Sequence, residues 1–253
     1  MKLKFINLNL WLGGILFDEI LEFLKEEKPD ILAVQEAYNS KNLNLEKRFR
    51  SVDVLKNECS FKYNFFSPTC FAVLDDKKIE AGNAIFSNFP IIETNTIFFD
   101  VPFGEVLNYE IPGGDYSMTP RNIQHAVIKA ENTNLNIFNT QGIWSPVGRD
   151  TERKLAMAEK IAEMVKRKEK TILAGDFNFN PDTESAMKIE EILIDVFKGK
   201  IWSTFNIRRK TNPVFANIIV DMIYNSKDLE LIDSYCPDVD ISDHLPLVCV
   251  FEI

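Results

Sequence analysis

Residues 171–181 read TILAGDFNFNP. The run Thr171–Ala174 is apolar, short and β-branched, which is the pattern of a buried strand. The chain then turns polar at Asp176 and Asn178, and Pro181-Asp182 opens an expected helix carrying Ala186, Ile189 and Ile192-Leu193. An Asp and an Asn at a strand end favour tight turns. In α/β sheets, the ends of strands are also where ligands bind.

The pattern recurs. Asn9 follows FINL, Gln35-Glu36 follow ILAV, and Asp243-His244 precede LPLVCVF. A strand over 134–139 breaks off into NTQGIW (139–144), where polar Asn139, Thr140 and Gln141 are expected at a sheet rim, Gly142 to allow a sharp exit and Trp144 to pack beneath it.

Around these points the chain alternates strands with a few helices. Residues 2–8 read as a strand, and apolar positions 17, 20, 21 and 24 as a helical stripe that Pro29-Asp30 stops. ILAV (31–34) is a strand ending at Gln35-Glu36. A helix is expected over 46–59, and strands near 61–66, 70–74, 82–86, 91–98 and 122–130. The stretch 100–120 holds Pro102, Gly104, Pro112, Gly113-Gly114 and Pro120, and reads as a long loop in which Phe103, Tyr109 and Tyr116 are candidates for a substrate wall. Asp150-Thr151 caps a helix with Leu155, Ala158, Ile161, Ala162 and Val165 on one side. Strands return near 217–224, 229–235 and 246–252, with Met222 and Tyr224 as ordinary strand positions. This is an α/β pattern with mixed sheets. No linker or low-complexity stretch divides it, so one domain over 1–253 is expected.

The chain has 253 residues, 29 Lys and Arg against 38 Asp and Glu, and a formal charge of −9. A global basic footprint for gripping a duplex is lacking, although Arg208, Arg209 and Lys210 are local candidates. Cys59, Cys70, Cys236 and Cys249 form no CxxC pair and are expected as free thiols. The N-terminus reads as a first strand, no run approaches membrane-spanning length, and a cytoplasmic protein is expected.

Carboxylates, amides and one His at strand ends suit a hard divalent cation beside an anionic substrate. There is no Ser elbow, P-loop or HExxH, so water is the natural nucleophile. Seven pieces in order, LNLWLGG (8–14), PDILAVQE (29–36), GNAIFSNFPI (82–91), RNIQHAVI (121–128), LAGDFNFNPDT (173–183), VDMIYNS (220–226) and SDHLP (242–246), give the chain a resemblance to the endonuclease/exonuclease/phosphatase superfamily. The resemblance implies a four-layer α/β sandwich, two mixed β-sheets face to face with helices outside. It also implies Mg²⁺ or Mn²⁺ on Glu36, with Asn9 and Asp243 nearby. Asp176 would deprotonate the attacking water, Asn178 and Arg121 would hold the phosphate, and His244, oriented by Asp221, would stabilise its charge. His125, mid-strand, matches no such motif and reads as structural.

At one position the sequence departs from the family pattern. Relatives commonly place a histidine where this chain has Gln141, and an amide donates a hydrogen bond but cannot exchange a proton near neutral pH. The expected substrate is a phosphodiester, either nucleic acid or a small diester such as a phospholipid headgroup. The alternative, supported only by Gln141, is a phosphate-binding scaffold without turnover.

Overall fold

The computed structural model describes residues 1–253 except 75, 76, 108, 112 and 113. Its elements are β1 (Lys2–Asn9), α1 (Phe17–Glu27), β2 (Ile31–Tyr38), α2 (Ser51–Glu58), β3 (Tyr63–Leu74), β4 (Lys77–Ser87), β5 (Ile91–Phe98), β6 (Gly104–Leu107), β7 (Asn122–Ala130) and β8 (Thr133–Gln141). There follow α3 (Glu152–Val165), β9 (Thr171–Asp176), α4 (Glu184–Glu190), β10 (Ile194–Asp195), β11 (Asp221–Asn225), β12 (Glu230–Tyr235) and β13 (Leu247–Glu252).

The strands form two mixed sheets, ordered β12-β13-β1-β2-β4-β3-β6 and β10-β11-β9-β8-β7-β5. Period-2 alternation explains how they stack. Leu3, Phe5, Ile31 and Ala33 of the first sheet meet Ala126, Ile137, Ile172 and Ile223 of the second in one core. Their neighbours Ile6, Leu8, Leu32 and Val34 turn outward under α1 and α2, against Ile20, Leu24 and Leu55. Phe138, Leu173, Met222 and Tyr224 turn outward under α3 and α4, against Met157, Ile161 and Ile189. The result is the expected four-layer sandwich. Fully burying one such side chain stabilises by ~1.5–3 kcal/mol, so the three apolar layers hold the sheets in place.

Five expectations need correcting. The strand at 31–34 does not end at Gln35-Glu36: a β-bulge between Val34 and Ala37 carries it on to Tyr38. The 134–139 strand likewise continues through Gln141, pairing β9 in parallel. The loop 100–120 contains β6, which adds to the edge of β3, while Pro112 and Gly113 of that loop lie outside the described residues. On α3 the buried stripe is Lys154, Met157, Ala158, Ile161 and Val165, so Leu155 is not its centre. The helix after Pro181 begins at Glu184, because Thr183 is the N-cap, its hydroxyl accepting from the Ala186 N–H. All four cysteines are free thiols. No helix among the described residues is long and apolar enough to cross a membrane.

Candidate active site

The inner faces of the strands are graded along their length. On β1 the inward positions run Leu3, Phe5, Asn7, Asn9; on β8 they run Leu135, Ile137, Asn139, Gln141. The apolar members lie in the shared core. Next comes a layer of amides buried between the sheets. Gln35 Nε2 donates to Asn7 Oδ1 at 2.9 Å and to Asn139 Oδ1 at 2.6 Å. Asn139 Nδ2 donates to Gln124 Oε1 at 2.8 Å and to the Val34 and Ala84 carbonyls. Asn83 and Asn122 extend the network at 3.0 Å. Asn139 and Thr140 are therefore fully buried rather than at a rim. One step further along the same faces the side chains become charged.

Register sets the charged layer. Asp221 on β11 and Gln141 on β8 both pair with Asp176 on β9, making a row of three on the second sheet. On the first sheet Asn9 pairs with Gln35. In an unbroken strand Glu36 would follow Leu32 and Val34 by alternation to the outer face. The bulge and a left-handed backbone, φ 58°, turn it inward instead, a conformation that costs a non-glycine residue ~1–2 kcal/mol.

The two rows meet across the sandwich. Asn9 Nδ2 donates to Glu36 Oε1 and to Asp176 Oδ2, each at 3.2 Å, while its Oδ1 accepts the Trp11 N–H at 3.0 Å. Gln141 spans the gap with both ends of its amide: Oε1 accepts from Arg121 Nη1, and Nε2 donates to Glu36 Oε1 at 2.8 Å. The Leu12 N–H donates to Glu36 Oε2 at 2.8 Å. Burial pushes the Glu36 carboxyl up, but the Leu12 N–H, the charges of His244 and Arg121 and the Asn9 amide outweigh it and hold the group below its usual value.

Asp176 differs. Burial, with the charges of Asp221 and Glu36 added, pushes its carboxyl up to about 6 against the pull of His244 and Arg121. Its Oδ1 accepts the Asn178 N–H at 3.1 Å. Asn178 is itself left-handed, φ 57°, and its amide donates to the Gly142 carbonyl at 3.1 Å. Gly142 is required here for close approach rather than for an unusual φ, since a Cβ there would lie 2.2 Å from the Phe177 carbonyl oxygen.

His244 Nδ1 pairs with Asp221 Oδ2 at 2.8 Å. Burial lowers the imidazole, but Asp221, then Asp243 and Asp176, raise it to about 10, so it is an imidazolium at neutral pH. The Asp221 N–H is held by Thr204 Oγ1 at 3.2 Å, and Asp221 Oδ1 is buried without a partner. Asp243, raised by burial, is bound by Lys210 Nζ at 2.8 Å. Of the basic trio only Lys210 reaches this site: Arg208 pairs with Asp238 and Arg209 with Asp240 on the surface. His125 stacks on Phe138 at 4.2 Å, its Nε2 and Asn136 Oδ1 lie 2.9 Å apart, and it is not among the cleft-lining residues.

Glu36, Arg121, Gln141, Asp176, Asp243 and His244 line a cleft of about 550 Å³. Tyr109, Tyr116 and Trp144 stand on its wall, so Trp144 faces the cleft rather than packing beneath Gly142. Phe103 stacks edge-on to Phe71 at 5.1 Å and is absent from the lining. Lys154 was not foreseen. Its ammonium reaches the carbonyls of Arg149 and Asn178 and the Ser145 hydroxyl, and so braces the turn carrying Asp176 and Asn178. The sign was its place on the apolar stripe of α3.

Two carboxylates converging on one amide nitrogen, half-buried Glu36 and buried Asp176, are a donor set that a hard cation fits. Asp176, Asp221 and His244 also offer ligand atoms within 4.8 Å of one another. Held as an imidazolium, however, His244 presents no lone pair and itself supplies the positive charge there.

The fold has counterparts among solved structures. A Bacteroides vulgatus endonuclease/exonuclease/phosphatase aligns with TM-score 0.73 at 16% identity, covering 100% of this chain and 99% of that one. The human Nocturnin catalytic domain with bound sulfate aligns with TM-score 0.70 at 18% identity, covering 99% and 93%. A Bacteroides thetaiotaomicron mannosyl-6-phosphatase aligns with TM-score 0.69 at 18% identity, covering 99% and 100%. No curated protein matches by sequence. The profile of the Endonuclease/Exonuclease/phosphatase family matches residues 6–244, nearly the whole span from β1 to His244, and the chain belongs to that family.

Proposed function

We propose that the protein is a divalent-metal-dependent phosphoesterase that hydrolyses phosphodiesters by in-line attack of water. The observation that carries this reading is the convergence of half-buried Glu36 and buried Asp176 from the two sheets on the Asn9 amide, each at 3.2 Å, with Glu36 held below its usual value and Asp176 pushed up to about 6. A general base works best with a pKa near the operating pH, which suits Asp176 to accept the proton of the attacking water. Glu36, kept ionised, would hold Mg²⁺ or Mn²⁺ with Asp243 nearby and Asn9 fixing its direction. When bound, the cation supplies Lewis-acid polarisation of a phosphoryl oxygen.

The chain's own cations do the rest. The His244 imidazolium, fixed by Asp221, donates through Nε2 to a non-bridging oxygen as charge builds there. Arg121, buried and with Nε unpartnered, is a second donor for the same group. Asn178 supports the reaction through Asp176, since its amide is engaged with Gly142 and Asp176. Gln141 ties Glu36 to Arg121 and supplies no proton to the leaving oxygen, so esters with good leaving groups are favoured.

The test is hydrolysis of bis(p-nitrophenyl) phosphate with Mg²⁺ or Mn²⁺. Turnover that EDTA abolishes and Glu36→Ala removes is the expected result. Mg²⁺ binding without turnover of any ester identifies a scaffold instead.

A further inference from the structure

The cleft beyond the charged layer is walled by rings. Tyr109 is buried against Tyr38, ring centroids 6.3 Å apart, and serves as a foundation. Tyr116 stands edge-on to it at 6.5 Å and to Trp144 at 6.0 Å, and both Tyr116 and Trp144 are half-exposed. A second run, Phe215 to Phe205 at 4.8 Å, ends on the His244 ring at 4.6 Å. Half-exposed rings in a cleft that also holds Arg121, Lys210 and His244 leave aromatic surface for something to stack on.

The charges are equally telling. Among the described lining residues the cations are Arg121, Lys210 and His244, and each is tied to a group of the charged layer, Gln141, Asp243 and Asp221 respectively. Further out the lining offers Glu110, whose carboxylate is held by Arg48 at 2.8 Å and by the Tyr38 hydroxyl at 2.9 Å. A protein that tracks a nucleic-acid strand needs successive cations along the backbone. Here a second phosphate would meet phenol, indole and a carboxylate. The cleft volume, about 550 Å³, also lies in the range of ~300–1,000 Å³ that encloses one small molecule.

We infer that the cleft takes an ester of a single phosphate carrying a planar aromatic ring, and not a nucleic-acid strand; the phosphate end of this inference rests on the phosphoesterase reading above. The phosphate sits among Arg121, His244 and Lys210, and the ring stacks on Trp144 and Tyr116.

Calorimetric binding to the full chain with Mg²⁺, with turnover suppressed by Asp176→Asn, tests it through matched ligand pairs that differ in the ring: AMP against ribose 5-phosphate, and phenyl phosphate against ethyl phosphate. The ring-bearing member is expected to bind at least ~10-fold tighter, about 1.4 kcal/mol. A preference in both pairs assigns any aromatic ring, and one confined to AMP assigns a nucleobase. Adding Trp144→Ala is expected to collapse the ratio below ~3-fold, and Trp144→Phe to keep it, as stacking requires. Equal affinities within both pairs overturn the inference, and so does hexathymidylate binding ~10-fold or more tighter than dTMP. Turnover is read separately on the parent chain. A persisting ring preference with no ester hydrolysed would sink the hydrolase reading and leave the ring site standing; hydrolysis without ring preference would do the reverse.

Discussion

The amide layer and the charged layer lie side by side on the same strand faces, two residues apart on β1 and β8 and one apart at the β2 bulge, and one is neutral where the other carries charge. In the amide layer, Gln35, Asn139, Gln124, Asn83 and Asn122 are neutral and bond one another within and across the sheets, although among the described residues Asn7 Nδ2, Gln35 Oε1 and Asn83 Oδ1 have no partner. In the charged layer, Glu36, Asp176, Asp221 and Asp243 face three cations, and Asp221 Oδ1 and Arg121 Nε are left without partners. Neutral groups that pair among themselves cost little to bury and fix a unique packing. Surplus charge costs stability and leaves capacity for a ligand. Position along a strand decides which rule a polar residue obeys.

The largest expected effect lies in the charged layer. Asp176→Asn should lower turnover of a phosphodiester by ~10²–10⁴-fold. It should also stabilise the metal-free fold at pH 7. A carboxyl raised to about 6 from 3.8 costs stability as pH rises through that window, and the full cost, on the order of 1–3 kcal/mol, persists above it. A melting midpoint in EDTA raised by a few degrees checks this; a lower midpoint would place Asp176 among the structural groups.

Asn139→Leu should do the opposite. It removes the donors that serve Gln124, Val34 and Ala84 and the acceptor of Gln35. The expected loss is ~2–4 kcal/mol in a urea titration, with turnover per folded molecule within ~3-fold of the parent. A collapse of turnover at unchanged stability would erase the distinction between the layers.

Gln141 sits at the boundary. Gln141→His on a diester with a poor leaving group should raise the rate ~10-fold or more and add a fall in rate on the alkaline side, where the new imidazole loses its proton. An unchanged rate across pH would mean that this position carries no proton in the reaction.

The smallest effect belongs to a carboxyl in neither layer. Burial, with the charge of Glu190 added, pushes Asp195 up to about 6 against the Phe197 N–H at 2.9 Å and the charges of Lys198 and Lys200. The parent should lose on the order of 1–2 kcal/mol of stability as pH rises from about 4 to 6. Asp195→Asn should flatten that slope, and an unchanged slope would assign it to other groups.

The apolar strands and the ordered motifs were legible because period-2 patterning and local composition are written in consecutive residues. Asp176, Glu36, Asp221 and His244 were legible as chemistry-bearing types at strand ends. The burial of Asn139 was not, because its partners Gln35 and Val34 lie about a hundred residues away and only sheet stacking brings them in. The inward turn of Glu36 was hidden because a bulge reverses what alternation implies. Lys154 was hidden by its charge, since a lysine on a helix ordinarily faces water.

The hydrogen bond from Gln35 on β2 to Asn139 on β8, 2.6 Å long, crosses from one sheet to the other one residue before Glu36 and two before Gln141. Mechanically it is a pin. Two stacked sheets are free to slide along their apolar interface, because dispersion contacts are non-directional, whereas a buried amide pair has one registry. The registry of the two sheets is therefore fixed in the layer beneath the junction, while the junction's own cross-sheet bonds from Asn9 and Gln141 hold Glu36 and Asp176 together.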